Sequence, residues 1–233
     1  MVTILWLWLG MVVFFAVLLT IIFRLEKRMV SPYGALESTP FPGDSSGYAT
    51  RWLHEAVQSG FSFLGWARDA RSSTYNLSYA FLISPERDTF VVIGTGAMLN
   101  IPFQATWLYT PAADGRSFCS TDKQSGVQID LSRNCTNQLV FTLNFAQLLQ
   151  KHREWIRSLG VLPRTFTPGR EFEFRALRDA HFRSMERDGL IRFTDVSASH
   201  FYFTLSGAAR TATWSYLVGM ARRLSNGSIP RSA

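Results

Sequence analysis

Histidine is the residue of this chain that could do the widest range of chemistry, because a neutral imidazole can bind a metal ion or accept a proton near pH 7. The histidines occur singly, without an HExxH or HxH pair, at His54, His152, His181 and His200. His152 lies on an apolar helical stripe, where a packed ring with hydrogen-bonded nitrogens is expected rather than a ligand or base. No metal site and no cofactor are therefore predicted.

Nucleophilic and phosphate-binding chemistry also lack their usual sequence patterns. The chain has no G-x-S-x-G elbow and no Cys–His–Asn signature. Gly94-Thr95-Gly96 follows a strand-like segment, but the third glycine and the Gly-Lys-Ser/Thr sequence of phosphate loops are missing. A bulge or turn between strands is the expected role of these glycines. No catalytic residue is predicted, and an enzyme without a recognisable motif is kept as an alternative.

The two cysteines, Cys119 and Cys135, are too few for a zinc site and form no CxxC pair. A reduced pair in the cytoplasm is the default expectation, and a disulfide between them becomes plausible if the domain lies outside. The formal charge of +7 is spread among interleaved acidic residues. Such a mild positive balance is weak evidence for a nucleic-acid or anionic-membrane partner.

The first predicted element of the chain is an uncharged apolar segment, Val2 to Phe23. The basic residues Arg24, Lys27 and Arg28 follow it at once. About 20 apolar helical residues cross a hydrocarbon core of about 30 Å, so a retained transmembrane helix is predicted. The segment is too long for a cleaved signal peptide and lacks a basic n-region and a small-residue cleavage site. A buried core helix would need a large protein around it.

Basic residues flank this segment only on its C-terminal side, which favours an N-terminus outside the cell and a cytoplasmic domain. The predicted location is therefore the cell membrane, with a single span. The expected partner is the lipid bilayer, with a second membrane protein as a further candidate. Arg24, Lys27 and Arg28 could contact anionic lipid headgroups, although solvated stop-transfer charges are the simpler interpretation of these three residues.

Composition divides the chain into four parts. They are an anchor with its basic flank at 1–28, a linker at 29–47, a globular domain at 48–224 and a flexible tail at 225–233. The linker is rich in proline, glycine and serine, which is typical of a semi-rigid spacer. A domain of this length can bury a core without disulfides or metal ions.

The domain is predicted to be α+β, with an antiparallel β-meander of about five strands packed by flanking helices and a helical C-terminal part. Short segments rich in β-formers occur at 61–64, 75–83, 89–94, 103–110, 116–121 and 127–131. Helical periodicity occurs at 46–59, 144–160, 167–188 and 206–224. Asn144 is the expected cap of the second helix, and Gly60 and Gly160 are the expected ends of the first two.

Two segments near the C-terminal end have the pattern of a helix end and paired strands. Met185–Ile191 has the sequence MERDGLI, and Phe201–Gly207 has the sequence FYFTLSG. Together they resemble the end of a recognition helix and the two-stranded wing of winged-helix regulators, which implies nucleic-acid binding. The leading hypothesis is a non-catalytic binding or structural module at the membrane. A membrane-tethered winged-helix regulator is the alternative, although nucleic acid is not the expected partner.

Overall fold

The computed structural model describes residues 2–25, 27–29, 36–42, 47–69, 75–98, 101–122, 135–140, 142, 144–169, 173–194 and 200–212. The chain forms two compact units, which we call the central unit (Ser31–His181) and the terminal unit (Met1–Val30 with Phe182–Ala233). The elements follow along the chain as α1 (Val2–Leu25), β1 (Arg28–Met29), α2 (Tyr48–Gln58), β2 (Ser62–Arg68), β3 (Tyr75–Ile83), β4 (Phe90–Met98), β5 (Ile101–Pro111), β6 (Ser117–Asp122), β7 (Cys135–Val140), α3 (Phe145–Ser158), α4 (Glu173–Arg187), β8 (Ile191–Phe193) and β9 (His200–Phe203).

A mixed six-stranded sheet forms the middle of the central unit, in the order β2-β3-β4-β5-β6-β7. Neighbours are antiparallel from β2 to β6, but β7 runs parallel to β6. The α+β class is confirmed, whereas the purely antiparallel meander of about five strands is wrong. A parallel pair needs a connection of about a dozen residues or more, and residues 123–134 supply that length. The predicted strand at 127–131 falls in this connection, outside the described residues.

Helices α2 and α3 cover one face of this sheet, because each carries an apolar stripe. Trp52 of α2 and Phe145 of α3 meet edge to face, with ring centroids 6.3 Å apart. Both belong to one buried cluster, which takes alternate residues from the strands: Ala80, Leu82, Val91, Ile93, Leu108 and Val140. Because side chains alternate along a strand, this cluster fixes which residues of β5 and β6 face the helices.

The ends of α3 are set by the residues that the sequence predicts. Asn144 is the N-cap, and its side-chain oxygen accepts a hydrogen bond from the Gln147 amide at 2.9 Å. Gly160 follows the helix with a φ of 61°, in the left-handed region that glycine adopts readily. The sequence did not predict a second contact at the N-terminus. The Glu55 carboxylate of α2 accepts from the Phe145 amide at 2.7 Å, where it also meets the positive end of the helix dipole.

The terminal unit contains a three-stranded antiparallel sheet in the order β1-β9-β8. Phe201 and Phe203 of β9 contact each other with ring centroids 5.4 Å apart, and Phe203 meets Phe23 of α1 at 6.5 Å. Phe182, near the end of α4, lies 5.0 Å from Phe201. Residues 205–212 are helical, which agrees with the start of the helix predicted at 206–224. The remainder of that helix lies outside the described residues.

Among the helices that the structure describes, none is long and apolar enough to cross a membrane. This finding contradicts the predicted transmembrane anchor at Val2–Phe23, and with it the single-pass cell-membrane location and the cytoplasmic placement of the domain.

The other predicted parts of the chain are only partly within the described ranges. Residues 30–35 and 43–46 of the linker and the whole tail lie outside them. Between those linker segments, Glu37 forms an isolated bridge with Trp66 of β2, and its amide donates to the Trp66 carbonyl oxygen at 2.7 Å. The division into anchor, linker, domain and tail therefore stays a prediction.

Candidate functional site

Strands β5 and β6 carry polar side chains on the sheet face that α2 and α3 cover. Leu108 of β5 faces the helices and lies opposite Ser120 of β6. Because side chains of one face recur every second residue, Thr106 and Thr110 share the face of Leu108, and Asp122 shares the face of Ser120. The buried layer between this sheet face and the two helices therefore contains hydroxyl and carboxylate groups among its apolar residues, and each of them needs a hydrogen-bond partner.

His152 of α3 meets two of these hydroxyls. Its side chain is only 1 % exposed. The Nε2 atom lies 2.8 Å from Thr110 Oγ1, and the Nδ1 atom lies 2.7 Å from Ser120 Oγ. Both ring nitrogens are therefore hydrogen bonded, which agrees with the packed ring that the apolar stripe predicts.

The hydrogen bonds continue from Thr110 to the connection between β3 and β4. Thr110 Oγ1 lies 2.9 Å from Thr89 Oγ1, and Thr89 Oγ1 donates to Asp88 Oδ1 at 2.9 Å. Ser84 Oγ donates to the same Asp88 oxygen at 2.9 Å. We call Ser120, His152, Thr110, Thr89 and Asp88 the histidine chain. It links a fully buried strand position to a half-buried carboxylate.

The connection that carries Asp88 is held in an uncommon backbone conformation. Arg87 has a φ of 59°, in the left-handed region that a non-glycine residue rarely adopts. Two hydrogen bonds with Phe166 hold it there: Arg87 Nε donates to the Phe166 carbonyl at 3.1 Å, and the Phe166 amide donates to the Arg87 carbonyl at 2.8 Å. Such backbone strain concentrates at functional sites, and this turn carries Asp88 of the histidine chain.

The hydrogen bonds of the histidine chain determine which ring nitrogen of neutral His152 carries the hydrogen. A hydroxyl donates only one hydrogen, and Thr89 gives its own to Asp88. Thr110 must therefore donate to Thr89, so the hydrogen between Thr110 and His152 belongs to Nε2. The Nδ1 atom then accepts the hydrogen of Ser120 at 2.7 Å, a much shorter contact than the 3.4 Å between Ser120 Oγ and Gln138 Oε1. All the donors consequently point in one direction, from Ser120 toward the carboxylate of Asp88.

The imidazole of His152 is neutral in this setting. Burial, followed by the nearby charge of Arg153, lowers the pKa of His152 to about 3. A base this weak, with both nitrogens already hydrogen bonded, has little capacity to remove a proton near pH 7. The histidine chain therefore positions polar groups and does not supply a reactive one.

A cavity of about 270 Å³ lies beside the histidine chain. Its polar floor comprises Thr89, Thr110 and His152. The apolar part of its wall comprises Ile156, Val161 and Pro163. The polar groups come from the connection between β3 and β4, from β5 and from α3, so they converge from three separate segments. We call this space the His152 cavity.

Charged residues of both signs line the rest of the His152 cavity. They are Glu86, Asp88, Arg153 and Arg157. Arg153 and Glu86 form an ion pair at 3.3 Å in which both side chains remain roughly half exposed. Water screens such a pair strongly, so it borders the cavity without closing it.

A second polar group on the same sheet face is fully enclosed. Tyr48 of α2 donates to Asp122 Oδ2 at 2.8 Å and lies 2.8 Å from Thr106 Oγ1. The Thr106 amide donates to the other Asp122 oxygen at 3.4 Å. Burial, followed by the adjacent Asp122 carboxylate, raises the pKa of Tyr48 far above its usual value. We call Tyr48, Thr106 and Asp122 the carboxylate cluster.

The remaining histidines and the cysteines do not join these groups. His54 is exposed on α2, His181 is buried in α4, and His200 lies in β9. Within the described ranges, no three histidine, cysteine or acidic side chains are grouped as a metal site requires. Cys119 and Cys135 form no disulfide and are buried on the other face of the central sheet.

The glycines considered for a phosphate loop lie inside β4. The strand pairs with β3 in unbroken register through Gly94 and Gly96, so the predicted bulge or turn is wrong. Gly94 leaves room for the rings of Phe103 and Tyr79, and a side chain at Gly96, whose φ is 135°, would overlap the Asn76 carbonyl. Close approach between neighbouring strands, rather than a loop, explains both glycines.

The basic residues predicted to flank a membrane lie at the end of α1 and in β1. Arg24 is in the last turn of α1 and Lys27 is exposed. Arg28 pairs through its backbone with Phe201 in the terminal sheet. Their contact with lipid headgroups stays a prediction.

Most members of the histidine chain gave no recognisable signal in the sequence. The one available signal is the spacing of Thr106, Thr110, Ser120 and Asp122, which puts polar residues on the inward face of two otherwise apolar strands. Thr89 and Asp88 could be found only once the turn that carries them had been placed beside α3. No protein-family model, no curated protein and no solved structure matches this chain.

Proposed function

We propose that the central unit is a non-catalytic binding module whose ligand occupies the His152 cavity. The observation that carries this proposal is the convergence of buried polar groups from three segments of the chain on one cavity. Ligand sites typically combine an apolar wall with a few fixed polar groups, and the walls and floor described above have this composition. Preorganised polar groups also bind without a large ordering cost.

Convergent polar groups are also what an enzyme without a recognisable motif would need. Binding is the better-supported function here because of the chemistry of the floor. His152 is neutral and uses both nitrogens, and Thr110 has already donated its only hydroxyl hydrogen. Neither side chain is free to act as a nucleophile or a general base.

The test compares two neighbouring substitutions in the full chain. Val161 lines the cavity, whereas Leu162 is 73 % exposed and does not. We expect Val161→Trp to fill the cavity and Leu162→Trp to leave it open. The probes are n-butylammonium, n-butanol and butyrate, and the measurement is the NMR shift of the amides of residues 86–89 and 152–157.

At least one probe should shift these amides in the unsubstituted protein and in Leu162→Trp, and should fail to do so in Val161→Trp. The His152 ring resonances report whether each variant keeps the native fold. If no probe shifts the amides, or if Val161→Trp responds as the unsubstituted protein does, the cavity is not a binding site.

Nucleic-acid binding by the terminal unit is a second candidate function, and one observation favours it. The hairpin that the winged-helix resemblance expects is present, because β8 follows α4 closely and pairs antiparallel with β9. Arg192 lies directly opposite Tyr202 in this hairpin, and both side chains are exposed. A guanidinium beside an aromatic ring can contact phosphate and stack on a base.

Salt dependence of duplex DNA binding tests this second function in the full chain. If the hairpin contacts phosphate, Arg192→Ala should weaken binding and lower the slope of log K against log salt by about one. Arg116→Ala, which removes an exposed arginine of the central unit, should leave the slope unchanged. Absence of binding, or binding that ignores salt, would exclude a winged-helix role.

A further inference from the structure

We propose that the His152 cavity selects a protonated primary amine, which it binds by its ammonium group. This inference rests on the proposed binding function and names the ligand class of the same site. Three observations support it. The first is the hydrogen-bonding capacity that remains after the histidine chain has formed. The others are the negative charge of the nearest carboxylates and the size and apolar wall of the cavity.

The floor of the cavity has no hydrogen left to donate. The hydrogen of Nε2 of His152 goes to Thr110, the hydrogen of Thr110 goes to Thr89, and the hydrogen of Thr89 goes to Asp88. A ligand that needs a donor from the floor, such as a carboxylate or a phosphate, would have to break this chain. Each buried group left unsatisfied in that way carries a desolvation penalty.

The same floor keeps several free acceptor positions. A hydroxyl oxygen has two lone pairs, and the hydrogen bonds of the histidine chain use one on Thr89 and one on Thr110. Asp88 Oδ1 receives Ser84 and Thr89, while Asp88 Oδ2 has no hydrogen-bond partner within the described part of the chain. An ammonium group has three hydrogens to donate and no acceptor, so its hydrogen-bonding pattern complements this floor.

The charged side chains around the cavity are also compatible with a bound ammonium group. Asp88 and Glu86 both line the space, and Asp88 is the carboxylate joined to the floor. Arg153 and Arg157 line it as well, and Arg153 is paired with Glu86 at the exposed edge. A cation is therefore favoured near Asp88, while a negative group on the same ligand would be favoured near the two arginines.

Size and wall composition limit the rest of the ligand. The volume of about 270 Å³ lies just below the range of roughly 300–1,000 Å³ that is typical of drug-sized sites. Ile156, Val161 and Pro163 offer apolar surface to a short aliphatic body. A small alkylamine meets both conditions.

The test measures the dissociation constants of n-butylammonium, n-butanol and butyrate by NMR titration of the full chain. We expect n-butylammonium to bind at least tenfold more tightly than the other two. Asp88→Asn keeps an oxygen that can accept from Ser84 and Thr89 but replaces the free Oδ2 with a donor, so it should remove this preference. Glu154→Gln, a matched loss of one carboxylate on α3 away from this cavity, should keep it.

The outcomes separate this inference from the function on which it rests. If n-butanol or butyrate binds as tightly as n-butylammonium, the cavity is a binding site but does not select an amine. The same conclusion follows if the preference survives in Asp88→Asn while the His152 resonances show an intact histidine chain. If none of the three probes binds, both the amine selection and the proposed binding function are wrong.

Discussion

The histidine chain and the carboxylate cluster occupy the same face of the same two strands, yet they place their charge differently. In the carboxylate cluster, Asp122 is fully buried, and its oxygens receive Tyr48 and the Thr106 amide. In the histidine chain, the buried members are neutral, and the only carboxylate lies at the half-buried end, on Asp88. The carboxylate cluster therefore encloses a charge, whereas the histidine chain is neutral in the interior and carries its charge beside the His152 cavity.

This difference separates the structural role of the carboxylate cluster from the binding role that we propose for the His152 cavity. A carboxylate enclosed by donors is costly to disturb, because no water can replace a partner that is removed. It can hold α2 against the sheet, but a ligand cannot reach it. A neutral chain that ends beside a cavity costs less to maintain and leaves acceptors within reach of a ligand. The position of the charge therefore distinguishes the two groups better than their composition does.

The largest expected effect comes from removing the enclosed charge. Asp122→Ala removes the buried carboxylate that accepts from the Tyr48 hydroxyl and the Thr106 amide, and a buried group left unsatisfied costs about 1–3 kcal/mol. We expect the free energy of unfolding to fall by about 3 kcal/mol, measured by urea denaturation. Glu154→Ala, at an exposed position of α3, should change it by less than about 0.5 kcal/mol. Equal effects of the two substitutions would show that the carboxylate cluster does not hold α2 in place.

The sequence predicted the elements around these two groups better than the groups themselves. Apolar periodicity and the Asn144 cap located α3, and alternation located most strands of the central sheet. Periodicity cannot show that His152 faces Thr110, because that contact depends on how α3 lies across a sheet built from distant segments. The parallel strand β7 was missed for a related reason: its Asn137 and Gln138 give it a weak β signal, and its pairing depends on β6 being its neighbour.

The second prediction concerns the neutral histidine and its pH dependence. An unfolded histidine takes up a proton below its usual pKa of about 6.5, whereas folded His152, with a pKa of about 3, stays neutral. The stability that depends on this neutral state is therefore complete above pH 6.5 and is lost as pH falls toward 3. The expected loss is about 1.4 kcal/mol per pH unit below pH 6.

Comparison with a non-titrating variant isolates this contribution from those of the carboxylates. Urea denaturation of the unsubstituted protein and of His152→Gln at pH 7, 6, 5 and 4 gives two curves. The difference between them should shrink as pH falls, because only the unsubstituted chain has a histidine at position 152 that takes up a proton on unfolding. Parallel curves would mean that His152 has an ordinary pKa and is not enclosed as the structure shows.

A smaller effect tests whether the two groups are coupled. Tyr48 lies on α2 and His152 on α3, and the Glu55 carboxylate joins these helices by accepting from the Phe145 amide. Glu55→Gln keeps an acceptor oxygen but removes the charge at the helix N-terminus, which is typically worth about 0.3–1 kcal/mol. We expect unfolding to become easier by that amount in thermal and urea denaturation. A loss several times larger would show that the two groups depend on one another through this contact.

The smallest effect is expected at the carboxylate that borders the His152 cavity without joining either group. Glu86 meets Arg153 at 3.3 Å, with side chains that are 57 % and 42 % exposed, and exposed pairs of this kind contribute about 0–1 kcal/mol. Glu86→Gln should therefore change the free energy of unfolding by less than about 0.5 kcal/mol in the same urea experiment. Asp122→Asn is the matched comparison, because it also removes one charge with almost no change in shape. It should lower the free energy of unfolding several times more than Glu86→Gln does. If the two substitutions cost the same, the enclosure of Asp122 has no energetic consequence, and the contrast between a structural charge and a cavity-side charge fails.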